Sequence, residues 1–272
     1  MTKTMRRTGT WILGAALAGV LLSVPQNSWG AARSSGVVAQ SQQDNTLASE
    51  AAARLDKKQY HDVKVTVDNG IATLTGTVEL YEYKSDAGSR VLHAKGITAV
   101  RNEIQIAGPD VSDSQLLKEL SKKLTYDRVG YGNVYDAITV SVQNGVVILG
   151  GHAHDYPNRN SALAVVATTP GVRDLIDNID VDPVSQMDWG IRIAVARAVY
   201  GYPSLNKYAI DPAMPIRISV QNGNVELYGE VDSQADKDTA YLRANGVSGV
   251  FSVKNYLQVA GQPTEKQSKV VP

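Results

Sequence analysis

The sequence predicts an α+β fold of three tandem small αββαβ units, each a three-stranded mixed sheet with two helices on one face. Three observations carry that expectation. A hairpin pattern is written three times, as "VKVTVDNGIATLTGTV" at 63–78, "ITVSVQNGVVILGGHA" at 138–153 and "ISVQNGNVELYGEV" at 218–231. Each copy is preceded by an amphipathic segment and followed by an alanine-rich helical segment and a further strand pattern. With the turn glycines Gly70, Gly145 and Gly223 superimposed, the copies align without a gap from the first strand to the third. Self-similarity at fixed spacing is the signature of a repeat architecture.

The elements follow in order. The segments "DNTLASEAAARLDKKQ", "SDSQLLKELSKKL" and "SQMDWGIRIAVARAVY" each read as a first helix. The first has a cap at Asp44, Asn45 or Thr46 and a stripe through Leu47, Ala51 and Leu55. The second has its stripe at Leu116, Leu120 and Leu124, and the third places Trp189, Ile193, Ala196 and Tyr200 toward the core. Strand one carries Val63, Val65 and Val67, then Ile138, Val140 and Val142, then Ile216, Ile218 and Val220. Strand two carries Ala72 and Leu74, Val147 and Leu149, and Val225 and Leu227. Alternation of period two means a half-buried strand, and the Asn-Gly pair between the strands selects a type I′ turn, because both central residues need positive φ.

Six residues past the turn stand Gly76, Gly151 and Gly229, expected to admit a helix backbone or a bulge. A second helix follows, with buried stripes at Ala87, Val91 and Ala94, at Ala162 and Val166, and at Ala240 and Ala244. Gly96, Gly171 and Gly249 are expected to close it as C-caps. Strand three then buries Val100, Ile104 and Ile106, then Leu175, Ile179 and Val181, then Val253, Leu257 and Val259. Asn102, Asp177 and Asn255 share one inward position, where a polar group is expected to satisfy backbone groups.

The first 30 residues differ. "MTKTMRR" is basic, "WILGAALAGVLLSV" is apolar and "PQNSWGAA" is small-residue rich, the three-part plan of a secretory signal peptide. Cleavage is expected near Gly30 or Ala32. That removes Lys3, Arg6 and Arg7 and no acid, so a balance of 27 basic and 27 acidic residues becomes a net charge of −3. The expected organisation is signal peptide 1–30, linker 31–44, units at 45–108, 110–183 and 185–261, and a polar tail at 262–272. No basic tract marks a nucleic-acid binder. The absence of cysteine excludes disulfides, thiolate catalysis and cysteine-held metals.

The run of hairpin, mid-strand glycine, alanine-rich helix and closing strand resembles the BON domain. "NGVVILGG…TPGVRDLIDNIDV" in copy two and "NGNVELYGEV…SGVFSVKNYLQV" in copy three carry the resemblance, which extends over about residues 45–260. It implies an exported, non-enzymatic, periplasmic protein associated with phospholipid or the outer envelope, including osmotic-stress proteins. It implies no catalytic residues and no cofactor. Copies two and three depart from it by insertions before the hairpin, "TYDRVGYGNVYDA" and "YGYPSLNKYAIDPAMP".

Those insertions hold the candidate surface-binding residues Tyr126, Arg128, Tyr131, Tyr135, Tyr202, Lys207 and Tyr208. Tyrosine combines an apolar body with a polar tip, suiting it to wet interfaces and headgroups. The alternative is that the insertions fold back and cover their own unit. In "GHAHDY", His152 and His154 stand two apart on a strand end, a spacing compatible with a metal pair. With only His61 and His93 besides, they read as surface histidines and no metal is expected. No nucleophile–base order or phosphate loop emerges. The reading is therefore a non-enzymatic binder of phospholipid or envelope surfaces, with no nucleic-acid partner. The rivals are a chaperone-like module holding envelope proteins and, more weakly, an enzyme with a Tyr-lined pocket between units.

Overall fold

The structure, a computed structural model, describes residues 29–128, 132–183, 185–212 and 215–262. From Gln42 onward, the described residues of the three repeats lie within one compact unit. The expected signal peptide, up to its last two residues, and nearly all of the polar tail lie outside the described residues.

Repeat one comprises α1 (Trp29–Ala52), the hairpin β1 (Lys64–Asp68) and β2 (Ile71–Thr75), the short β3 (Thr77–Val78), α2 (Tyr81–Leu92), β4 (Ala99–Asn102) and β5 (Gln105–Ile106). Repeat two runs α3 (Asp113–Tyr126), β6 (Ala137–Gln143), β7 (Val146–Ala153), α4 (Tyr156–Ala167) and β8 (Asp174–Val181). Repeat three runs α5 (Gln186–Tyr200), α6 (Lys207–Ile210), β9 (Arg217–Gln221), β10 (Asn224–Tyr228), β11 (Glu230–Val231), α7 (Gln234–Asn245), β12 (Ser252–Asn255) and β13 (Gln258–Val259). In each repeat the middle strand pairs antiparallel with the first and parallel with the third, giving the expected mixed sheet. The turn residues Asn69, Asn144 and Asn222 have φ of 51°, 54° and 50°, and each following glycine 75°, as a type I′ turn requires.

Each repeat has its own core, and the expected apolar positions fill it. Ala72, Leu74, Ala87 and Val91 are fully buried in repeat one, Leu116, Val147, Leu149 and Ala162 in repeat two, and Ile218, Val225, Leu227 and Ala240 in repeat three. The shared inward polar position also behaves as expected. Asn102 Nδ2 donates to Lys84 O and Asn102 Oδ1 accepts from Ile104 N–H, and Asn255 repeats this with Lys237 O and Leu257 N–H. In repeat two Asp177 accepts from Ile179 N–H and, having no donor of its own, takes Arg159 where the others take a carbonyl.

Four expectations need correction. α1 has no cap at Asp44, Asn45 or Thr46, because the helix is already running; Thr46 Oγ1 bonds back to Gln42 O as a mid-helix threonine does. α2, α4 and α7 end four residues before Gly96, Gly171 and Gly249, so these glycines are not C-caps. They form the turn onto which the first helix or its approach packs, through Leu47, Val111 and Ile191. Gly76, Gly151 and Gly229 admit the carbonyl that leads into strand one, not a helix: an added Cβ would lie 2.0, 2.0 and 2.6 Å from Asp62 O, Ala137 O and Pro215 O. Finally, α5 turns Ile191, Val195 and Val199 into the core, while Trp189 is 42 % exposed. The helix carries apolar residues on two faces, and the stripe one residue pair away is the one its own sheet buries.

These contacts set the expected behaviour of two glycines. Gly229 has φ +126° and backbone against it, so Gly229→Val should cost about 3 kcal/mol or more in a denaturant melt. Gly190, inside α5 with nothing within 4 Å, is the control: Gly190→Ala should stabilise by about 0.5–1 kcal/mol. Equal effects would mean that the sheet bends elsewhere.

Candidate functional site

The two insertions are mostly built into the fold. Arg128 is 3 % exposed: its Nη2 donates to Asp136 Oδ2 at 3.0 Å and to Asn158 O at 2.9 Å, and its Nε donates to Ser161 Oγ at 2.7 Å. Tyr208 is 2 % exposed; its hydroxyl donates to Asp236 Oδ2 at 2.8 Å and accepts from Asp232 N–H at 2.7 Å. Neither reaches a surface ligand, because a guanidinium or phenol taken into the interior must find partners there, and both have done so. Lys207 Nζ is exposed but lies 2.6 Å from Asp232 and 3.0 Å from Asp236. Tyr126 and Tyr202 are exposed, the latter beneath the Arg243 guanidinium at 5.4 Å. Tyr131 lies outside the described residues.

A common plan emerges, unseen in the sequence. In each repeat one polar side chain ahead of strand one ties that segment to the second helix: Tyr60 to Asp86, Arg128 to Ser161, and Tyr208 to Asp236. The chemistry differs each time, so no residue pattern announces it.

The candidate site is the junction of repeats two and three. Tyr135, in the 3₁₀ turn Asn133–Tyr135, packs edge-on against Trp189 at 5.4 Å and His154 at 5.7 Å, and His154 stacks on Trp189 at 5.9 Å. The structure thus joins Tyr135 with one of the two singled-out histidines and with the tryptophan that left the core. Asp136 Oδ1 accepts from His154 N–H and from Nδ1, 2.7 Å away. That leaves Nε2 as the ring acceptor, and Asn158 Nδ2 donates to it at 3.2 Å. His154, with its side chain 9 % exposed, is therefore a fully engaged ring and not a free surface histidine. His152 lies 3.8 Å from Asp182, so each histidine has its own aspartate, and no group of metal-binding side chains occurs among the described residues.

A second buried aspartate fastens the two repeats. Asp182, 2 % exposed, accepts from Arg192 of α5 and from Gln221 Nε2 of β9 at 2.6 Å, and Arg192 Nη2 also donates to Val220 O at 2.8 Å. Arg217 of β9 reaches Ile138 O of repeat two, and burial pulls its pKa below the usual arginine value. Between the two ion clusters lies a cleft of about 270 Å³ lined by His154, Asp155, Pro183, Ser185, Trp189 and Arg192. Burial acts to raise the Asp155 pKa, but side-chain and backbone hydrogen bonds from Asn158 outweigh it and hold the carboxyl below its ordinary range. Burial raises the Tyr135 phenol. The buried side-chain atoms without a partner among the described residues, Asn133 Oδ1, His152 Nδ1, Asn158 Oδ1 and Arg192 Nε, all belong to this junction. The cleft is suited to holding a molecule; His154, whose lone pair is occupied, is poorly placed to move a proton.

Comparison with known proteins agrees with this architecture. The pattern of the BON domain matches residues 43–108, 112–183 and 204–261, well over half of the chain. The chain belongs to the BON domain family. The chain is also 30 % identical over 132 residues to the Osmotically-inducible protein Y of Escherichia coli (strain K12), covering 44 % of this chain. The match spans 61 % of that relative's length. Among solved structures, CdsD, a structural protein of the type III secretion system of Chlamydia trachomatis, is 16 % identical with a TM-score of 0.23, covering 79 % of this chain and 92 % of its own. The PrgH periplasmic domain is 11 % identical with a TM-score of 0.21, covering 75 % and 98 %. Superpositions this loose establish no shared arrangement.

The two kinds of ion pair in this BON protein predict different mutational costs. Asp182→Ala leaves Arg192 charged and unpaired in the interior and should cost about 3–5 kcal/mol in a denaturant melt. The exposed pair Asp110–Arg173, at 2.7 Å, should cost at most about 1 kcal/mol when Asp110 becomes Ala. Similar values for the two would show that Asp182 does not fasten the junction.

Proposed function

We propose that this chain is an exported envelope protein of the osmotic-stress class that acts in the periplasm by non-covalent contact with phospholipid. The observation that supports it most is the threefold BON match together with the likeness to Osmotically-inducible protein Y. The signal-peptide plan of residues 1–32 supports export. No helix among the described residues is long and apolar enough to cross a membrane, which suits peripheral contact.

With a net charge of −3 after cleavage, attraction to an anionic surface is a weak driver, at about 1 kcal/mol per basic residue. Inserting an apolar side chain contributes about 1.5–3 kcal/mol each. Among the described residues, the most exposed large apolar side chains are all in repeat three: Phe251 at 80 %, Ile210 at 77 % and Leu242 at 66 %, the last beside Arg243. They replace the buried Arg128 and Tyr208 as the lipid-facing candidates. A second reading, capture of client protein, has one observation in its favour: β1 is an edge strand with alternate residues exposed.

Flotation with vesicles of phosphatidylglycerol and phosphatidylethanolamine tests the lipid reading. The chain should float, and the triple change Phe251→Ser, Ile210→Ser and Leu242→Ser should weaken binding at least about tenfold with an unchanged melting curve. Failure of the unaltered chain to float would contradict it.

A further inference from the structure

We infer that the cleft between repeats two and three binds a small zwitterion, a molecule with one carboxylate and one cationic nitrogen. The inference is independent of the lipid contact and rests on what the cleft lacks. Arg192 is 97 % enclosed, being 3 % exposed; its Nη2 is committed to Asp182 and Val220 O, yet its Nε–H has no partner among the described residues. A buried N–H left unpaired is costly and calls for an acceptor. Arg192 lines the cleft together with Ser185 and Gln186, the cap and first residue of α5, a helix of 15 residues. The positive end of that helix favours a carboxylate at the same place.

The opposite demand comes from Asp155. Its Oδ1 accepts from Asn158 N–H and Nδ2 at 2.8 and 2.6 Å, and its Oδ2 lies 3.6 Å from the His154 ring and within the field of Arg192, with the side chain 40 % exposed. That carboxylate stays ionised and takes a cation. Beside it, the Trp189 indole is partly open, and an indole is the best aromatic partner for an ammonium.

A simple anion would satisfy Arg192 and meet Asp155. A simple cation would satisfy Asp155 and leave the Arg192 Nε–H without an acceptor. A zwitterion answers both, and the cleft volume of about 270 Å³ lies below the range of drug-sized pockets, roughly 300–1,000 Å³. The ligand is therefore of amino-acid or betaine size.

Calorimetric titration of the full chain with glycine betaine, choline and acetate separates the alternatives. Glycine betaine should bind at least about tenfold tighter than either single-charge probe, with a change in tryptophan emission that Trp189→Phe abolishes. Asp155→Asn keeps a good helix cap and should weaken glycine betaine at least about tenfold. If Asp155→Asn lowers the melting temperature, Trp189→Leu carries the same test. No heat with glycine betaine, equal binding of choline or acetate, or full binding by a folded Asp155→Asn protein would each overturn the inference.

Discussion

One carboxylate in each repeat holds the tip of the hairpin. The two N–H groups of a type I′ turn point away from the ladder and have no strand partner. Asp113 accepts both in repeat two, from Asn144 at 2.7 Å and Gly145 at 2.9 Å, and Asp188 does the same in repeat three, from Asn222 at 3.0 Å and Gly223 at 2.8 Å. Asp44 reaches Asn69 N–H at 3.3 Å in repeat one. Each aspartate stands on the first helix, so the bond fixes that helix against the sheet. The same tip receives strand three, whose Thr98, Arg173 and Phe251 N–H groups donate to the carbonyls of Gly70, Gly145 and Gly223. Helix one, the hairpin and strand three thus meet at one turn.

Because that turn is clamped from outside, the chain between the first helix and strand one is free to vary. The clamping aspartate lies 25, 31 and 34 residues before the turn asparagine in repeats one, two and three. The extra residues are folded inward and tied by Arg128 or by Tyr208, and in repeat two they also carry Tyr135 and Asp136 to the junction with repeat three. Buried Asp182 then bridges those repeats, while buried Asp136 holds His154 where it stacks on Trp189 of repeat three. Buried ion pairs add little net stability over apolar packing, but breaking one is expensive. Their effect is on register, and that register brings His154, Asp155, Trp189 and Arg192 around one cleft.

Much of the fold was legible because hydrophobic period and turn chemistry are local signals. The strands, the Asn-Gly turns, the stripe of the second helix and the inward asparagines follow from spacing alone. The misreadings share a physical cause: each depends on what a residue meets across the fold. Arg128 and Tyr208 look like surface groups until their partners Asp136 and Asp236 are placed. Gly151 shows in sequence as a small inward residue, but the group against it is Ala137 O on the neighbouring strand. Trp189 belongs to an α5 with two apolar faces, and the spacing of Ile191, Val195 and Val199 was an equally good stripe. Asp113 and Asp188 did carry a signal, an acid in the first turn of a helix, but that position has the commoner explanation of the helix dipole. The candidate cleft was invisible as a whole, since its residues come from the turn between β7 and α4 in one repeat and from α5 and its approach in the next.

Hydrogen exchange at the Asn222 and Gly223 amides tests the clamp most directly. In the unaltered protein both amides should exchange slowly for a turn, with protection comparable to neighbouring strand residues. In Asp188→Ala both should exchange at least about tenfold faster, with a loss of about 1.5–3 kcal/mol in global stability from the charged hydrogen bonds, while the turn amides of repeat two keep their protection. Unchanged protection at Asn222 and Gly223 in that variant would contradict the claim that one carboxylate per repeat holds helix, hairpin and third strand together.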